Sequence, residues 1–340
     1  MNSNFRSKSI SLRRQSGLTL IELMIAMVLN LIIIGGGMTM MSSAHKSYRV
    51  DEAVGHMQDA MRFSQYILGG KVREAGFGCL DSVSEVVSTL NDSTKLDYSF
   101  ESALQGYDST LGYPEEVSGE VVAGSDVLVV RSATGTSVTL ESEMPDTSAA
   151  LKTTVVDPAP ITGDDIVVLT DCASAAVFQV TNYTDASGTI VHNTGNSTTP
   201  GNATKSFGHS FKAGSKVMKV HTTVYYLGTD DDDNKVLYER ANNSGVITTT
   251  AMLYGMDDIQ ITYGVNSDTS KGVDEYLEAN AVTDWDNVIS VRFELLFTSV
   301  EDNLVTKKQT YTYNGSDITA DDTRIYRPMS FVTAMRNRTE

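Results

Sequence analysis

Hydrophobic positions along this chain change their period twice. Residues 18–41, LTLIELMIAMVLNLIIIGGGMTMM, are apolar almost without interruption. They supply about 24 positions, where a bilayer-spanning helix needs roughly 20. From Val50 the apolar residues thin to a stripe of Val50, Val54, Met57, Met61, Leu68 and Val72, with Gln65 breaking the series. Spacings near three and four predict an amphipathic helix. Its other face carries Asp51, Glu52, Gln58, Asp59, Arg62 and Lys71, and Gly76 and Gly78 end it.

Beyond Cys79 the pattern shortens to period two. Residues 81–120 are mostly polar with turn residues and predict a long loop region. Strand-like runs then follow at 126–131, 165–170, 176–182, 216–227, 235–240, 258–264 and 288–298. In the last run Ile289, Val291, Phe293, Leu295 and Phe297 face one way, and Ser290, Arg292, Glu294 and Thr298 the other, as in a half-buried strand. Residues 184–206, rich in Ser, Thr, Asn and Gly, predict a flexible loop. The fold class expected is α+β: a long N-terminal helix, half membrane and half amphipathic, on a β-rich, loop-heavy domain with an antiparallel sheet.

Charge divides the chain further. Its net charge is −17 over 340 residues, yet residues 1–17 hold Arg6, Lys8, Arg13 and Arg14 and no acid. The acidic balance argues against nucleic-acid binding, which needs a basic footprint. A basic head before the apolar run and an acidic body after it predict a cytoplasmic N-terminus and a body outside the cytoplasm, by the positive-inside bias. An ordinary cleavable signal does not fit. The apolar run is too long, and the small residue, Gly17, precedes it.

Glu22 stands inside the apolar run, where a charge is costly and usually marks function. One alternative is a cheap position near the cytoplasmic interface. The other involves a cut after Gly17, which would free an α-amino group on Leu18 one turn away. Between packed helices, a carboxylate could then meet a neighbour's amine in low dielectric and set the register of assembly.

The two cysteines, Cys79 and Cys172, are one disulfide in an oxidising compartment and two buried thiols in the cytosol. Five histidines, at 45, 56, 192, 209 and 221, form no metal-spaced pair, and no nucleophile elbow or phosphate loop occurs. No catalytic residue, metal site or cofactor is expected. Asp230–Asp233 and residues 266–275 are oxygen-rich stretches that could hold Ca²⁺. The first lacks the glycine and terminal Glu of an EF-hand, and a solvated hairpin tip is the simpler reading for both.

The segment SGLTLIELMIAMVLNLIIIGG resembles the class III leader of type IV prepilins: basic residues, Gly before the cut, a hydrophobic residue after it, and Glu at the fifth mature position. Gly17 and Glu22 match, while Leu18 replaces the usual Phe. The resemblance implies cleavage between Gly17 and Leu18 by a prepilin peptidase, N-methylation of Leu18, and packing of the helix in a filament core. Gly35, Gly36 and Gly37 each lower helix stability by about 1 kcal/mol relative to Ala. The helix is expected to loosen there on entering a filament.

Other stretches resemble PilW-type minor pilins. They are Tyr48-Arg49, Arg62-Phe63 and Arg73-Glu74-Ala75-Gly76-Phe77-Gly78-Cys79, then TDCASAAVFQVT at 170–181, GMDDIQITYGV at 255–265 and FVTAMRNR at 331–338. The chain departs from that family at Gln58-Asp59-Ala60-Met61, where Glu-Asn-Gly is usual. The division implied is a cleaved leader (1–17), a membrane and filament-core helix (18–41), an amphipathic continuation (42–78) and a periplasmic head (79–340). With the body periplasmic, Cys79 and Cys172 are expected to bridge, closing a loop of about 90 residues worth about 3–5 kcal/mol. The function implied is that of a low-copy, tip-located minor pilin that helps initiate pilus assembly. Its partners would be the prepilin peptidase, other minor pilins, the major pilin, the inner membrane and a tip adhesin. A type II secretion pseudopilin and a plain membrane-anchored binding domain are the alternatives.

Overall fold

The computed structural model describes residues 17, 19–80, 86–195, 199–267 and 272–338. The leader up to residue 16 and the expected methylation site, Leu18, lie outside them. The chain divides into two compact units, Met1–Glu52 and Ala53–Glu340. One helix, α1, runs Leu20–Glu74. Within the first unit its described side chains are exposed almost throughout.

Among the described residues, the second unit holds the rest of α1 and seventeen strands. In chain order these are β1 (Val86–Ser88), β2 (Leu104–Tyr107), β3 (Val127–Thr139), β4 (Ala150–Lys152), β5 (Ile166–Thr170), β6 (Ala175–Gln179), β7 (Asn182–Thr184), β8 (Thr189–Val191), β9 (Lys216–Thr229), β10 (Lys235–Asn243), β11 (Val246–Tyr254), β12 (Met256–Val265), β13 (Glu275–Leu277), β14 (Val288–Thr298), β15 (Thr310–Tyr313), β16 (Ser316–Thr319) and β17 (Tyr326–Ala334). An eight-stranded sheet has the order β1-β6-β5-β9-β10-β11, with β3 also on β9 and β2 on β3. A four-stranded sheet has the order β13-β12-β14-β17. The pairings are antiparallel except β1 with β6.

Burial explains why period two fades in the large sheet. Val167, Leu169, Ala176 and Phe178 enter one core with Leu151, Ile190, Phe207 and Phe211. Their alternates Ile166, Val168, Ala175 and Val177 enter a second core with Leu80, Leu90, Tyr98 and Phe100. A strand covered on both faces has no reason to alternate. In β14 the alternation survives mid-strand, where Val291, Phe293 and Leu295 are buried while Arg292 and Glu294 are half-buried.

Two expected loops carry more structure than their composition suggests. The stretch 81–120 contains β1 and β2 and buries Leu90, Leu96, Tyr98, Phe100, Leu104 and Val117. The stretch 184–206 contains β8, and its Asn202 is fully buried. The Asn202 side chain donates to Gln179 O (2.8 Å) and accepts from Gln179 N–H (2.8 Å). Polar side chains that complete buried backbone hydrogen bonds look like loop residues in a sequence. The Asp230–Asp233 segment is the exposed turn between β9 and β10, with Asp230 Oδ1 accepting from Asn234 N–H (2.8 Å) and Asp232 N–H (3.0 Å). Of residues 266–275, positions 268–271 are outside the described residues, and Asp274 Oδ2 accepts from Ser267 N–H (2.7 Å).

Candidate functional site

The apolar stripe of α1 resolves into two surfaces. From Leu20 to Met41 its large hydrophobic side chains are all exposed. Soluble proteins do not expose such a surface without a membrane or protein to cover it. The helix is long and apolar enough to span a bilayer. From residue 53 onward the buried positions are Met57, Ala60, Ser64, Leu68, Gly69 and Val72. Ser64 carries the stripe past Gln65: its hydroxyl donates to Met61 O (2.9 Å) and so enters the interface satisfied.

At the N-terminus of α1, Thr19 and Glu22 form a capping box. Glu22 Oε2 accepts from Thr19 N–H (2.9 Å) and Thr19 Oγ1 (2.8 Å), and Glu22 N–H donates to Thr19 Oγ1 (3.3 Å). The Thr-x-x-Glu spacing is the sequence signature of such a box, a signal separate from the membrane depth of Glu22. Only one carboxylate oxygen is engaged in these bonds, so the cap leaves Oε1 for a second partner. Gly35, Gly36 and Gly37 lie inside continuous helix, and nothing stands within 4 Å of where their side chains would be. Thr39 Oγ1 donates to Gly36 O (2.9 Å), an alternative bond for a carbonyl of that glycine turn.

The other end of α1 is stitched to the sheets. Gly76 N–H donates to Arg131 O (2.9 Å) and Ala133 N–H to Phe77 O (2.8 Å), so the chain leaving the helix runs onto β3. Gly78 has φ +91°, and a Cβ there would lie 2.5 Å from Ala133 Cβ, so only glycine fits. Cys79 and Cys172 are joined by a disulfide, with Cα atoms 5.2 Å apart. It ties the end of the helix segment to the turn between β5 and β6. The C-terminal segment closes the same corner. Asn337 Nδ2 donates to Ala75 O (3.0 Å), and Arg338 Nη1 donates to Trp285 O (2.6 Å) and Val288 O (3.0 Å).

Three buried ionisable groups were not legible in the sequence. Arg131 is fully buried, donates to Ser102 O (3.1 Å), and is lowered by burial to about 10. His192 stacks on Phe207 (4.6 Å between ring centroids), and burial pushes it down to about 4. Asp126 is 7% exposed and is pushed up to about 7, chiefly by burial. Its N–H donates to Ile259 O (2.9 Å) and its Oδ2 accepts from Ile261 N–H (2.7 Å), so it joins the eight-stranded sheet to the four-stranded one. These groups are dispersed through the body. Among the described residues no cluster of three or more His, Cys, Asp or Glu could hold a metal ion.

The geometry thus sets an exposed apolar helix, capped by an acid, before a disulfide-tied β-rich body. Residues 12–38 match the prokaryotic N-terminal methylation motif, which defines a class III prepilin-type N-terminus. Residues 224–337 match the family model of type IV pilus-assembly protein W. Together the two matches support a type IV pilus-related pilin. The second match covers the C-terminal end of β9 and everything through β17, including GMDDIQITYGV and nearly all of FVTAMRNR. Those two stretches have structural duties: the first is β12, which receives Asp126, and the second carries Asn337, which bonds the helix end. The resembling patches at 48–79 and 170–181 fall outside both matched ranges. A comparison with curated proteins finds no match.

Proposed function

We propose that this protein is a minor pilin that helps initiate assembly of the type IV pilus, at low copy, within a tip-located complex of minor pilins. The observation that carries this reading is the presence on one chain of a prepilin N-terminus and a PilW-type body. In this reading the chain is held in the inner membrane by residues 18–41, with its N-terminus cytoplasmic and its body periplasmic. A prepilin peptidase cuts between Gly17 and Leu18, and the new amine of Leu18 is methylated. The exposed face of 20–41 packs on the helices of other minor pilins and the major pilin. Glu22 keeps its cap through one oxygen and offers the other to the amine of a neighbouring subunit. The body presents its acidic surface to partners, a tip adhesin among them, and its role is structural rather than catalytic.

The test is a count of surface pili in a strain lacking this gene, with retraction active and with retraction blocked, and with type II secretion assayed in parallel. Loss of pili that is partly restored when retraction is blocked is the expected result. Unchanged pili with lost secretion would make the protein a pseudopilin instead.

A further inference from the structure

The eight-stranded sheet ends at β11, whose sequence VITTTAMLY contains no charge and no proline. Among the described residues this strand pairs only with β10, which leaves its outer row of N–H and C=O groups open. Side chains from Val246 to Ala251 are exposed on both faces of the sheet. Native edge strands are normally blunted by lysine, proline, bulges or a covering element. The single irregularity here falls at Met252, between the pairs Leu237–Leu253 and Tyr238–Ala251. It leaves Val246–Ala251 in unbroken register and free to template another strand.

A groove of about 500 Å³ lies beside this edge, between the helix and the sheet, lined by Tyr66, Lys71, Arg73, Arg336 and, from β11 itself, Met252. Its two acids are engaged. Glu74 pairs with Lys71 (3.4 Å), and Glu239 accepts from the Tyr225 hydroxyl. Arg73 and Arg336 form no ion pair among the described residues, in a chain of net charge −17. An open, uncharged strand edge and two unmatched guanidinium groups therefore border one surface.

We propose that β11 and this groove are a single docking site for an extended acidic segment of a partner protein. The segment adds as a strand along Val246–Ala251 and directs alternate carboxylates toward Arg73 and Arg336. Backbone pairing supplies affinity and alternate side chains supply specificity. Arginine matches a carboxylate in bidentate geometry. A second copy of this chain is the poorer occupant. Its own β11 has no acid, so edge-to-edge pairing would leave both arginines unmatched. The proposal does not depend on the pilus reading, because it concerns binding and not assembly.

The test is hydrogen exchange of residues 246–254 in the full-length protein in detergent micelles, with a capped nine-residue peptide alternating Glu and Val as the probe. A matching Lys–Val peptide is the control. The expected result is that Glu–Val slows exchange of Val246–Ala251 by about tenfold or more while Lys–Val does not. The exposed substitutions Arg73→Glu and Arg336→Glu together should reverse that preference. Three results would overturn the proposal: no slowing with Glu–Val, equal slowing with both peptides, or slowing that rises with protein concentration when no peptide is present. The last would make a second copy the occupant.

Discussion

Asp126→Asn should stabilise this protein at pH 8 and leave it nearly unchanged at pH 4. The Asp126 carboxyl is buried at the junction of the two sheets, and its folded value is raised from 3.8 to about 7. Burial is the main cause. The Ile261 N–H works against it, and the carboxylates of Asp108, Asp258 and Glu278 add to the rise. Below 3.8 the group is protonated in both folded and unfolded chains, so no free energy is lost. Between 3.8 and about 7 the unfolded chain releases the proton and the folded chain holds it, so stability falls as pH rises. Above 7 the loss is complete, and that window corresponds to about 4 kcal/mol. Asparagine keeps an acceptor for Ile261 N–H and carries no charge. The gain expected at pH 8 is on the order of 2–4 kcal/mol. His192 acts in the opposite direction. Its lowered value makes stability fall as pH drops from 6.5 towards about 4, and comparing variant with wild type at each pH removes that contribution. Urea unfolding of the full-length protein in detergent micelles, followed by fluorescence, reads the effect. The sole tryptophan, Trp285, packs edge-on to Tyr263 with ring centroids 4.8 Å apart, and Tyr263 is the next residue but one to Ile261. A variant destabilised equally at both pH values would refute the reasoning.

Four further outcomes follow from the geometry. Replacing Cys79 and Cys172 together by serine opens a bridge of sequence separation 93 and should cost about 4–5 kcal/mol in the same unfolding assay; intact-mass analysis under alkylating conditions should find no free thiol in the wild-type protein. Glu22→Gln keeps the capping box, which accepts Gln as well as Glu, but removes the charge, so incorporation into sheared surface filaments should fall by about tenfold or more. Thr19→Ala removes the capping hydroxyl but leaves the charge and should incorporate near normally; equal defects in the two variants would reduce Glu22 to a helix cap. Gly106→Ala would drive a Cβ into the Tyr263 ring, where β2 meets the four-stranded sheet, and should destabilise by about 1–3 kcal/mol or more in the unfolding assay.

What could be seen in the sequence depended on whether one face of an element meets water. The helix and β14 announce themselves because each buries one face. Strand β11 escaped because six successive side chains are exposed, which leaves no alternation to find, although its β-branched content and the preceding Asn-Ser-Gly turn were signals. Strands β1 and β2 escaped because three or four residues are too few to show a period. Strand β17, with the C-terminal stretch that bonds the helix end, is visible in the sequence as a family resemblance and not as a strand. Its exposed Arg327 and Pro328 break the pattern of an edge strand. Asp126 and Arg131 resist any pattern argument, since nothing in a neighbouring residue tells a buried charge from a solvated one.

The bridge between Cys79 and Cys172 also has a mechanical meaning. A pull applied through α1 enters the body at the helix end, where the chain passes directly into Cys79. With the bridge closed, load steps from residue 79 to residue 172 through two sulfur atoms and bypasses the intervening polypeptide. A separation of 93 residues stores about 300 Å of contour that tension cannot pay out. The strands within that span, β1 through β5, are therefore shielded from a force applied at the helix, and extension must be borne by the chain that follows.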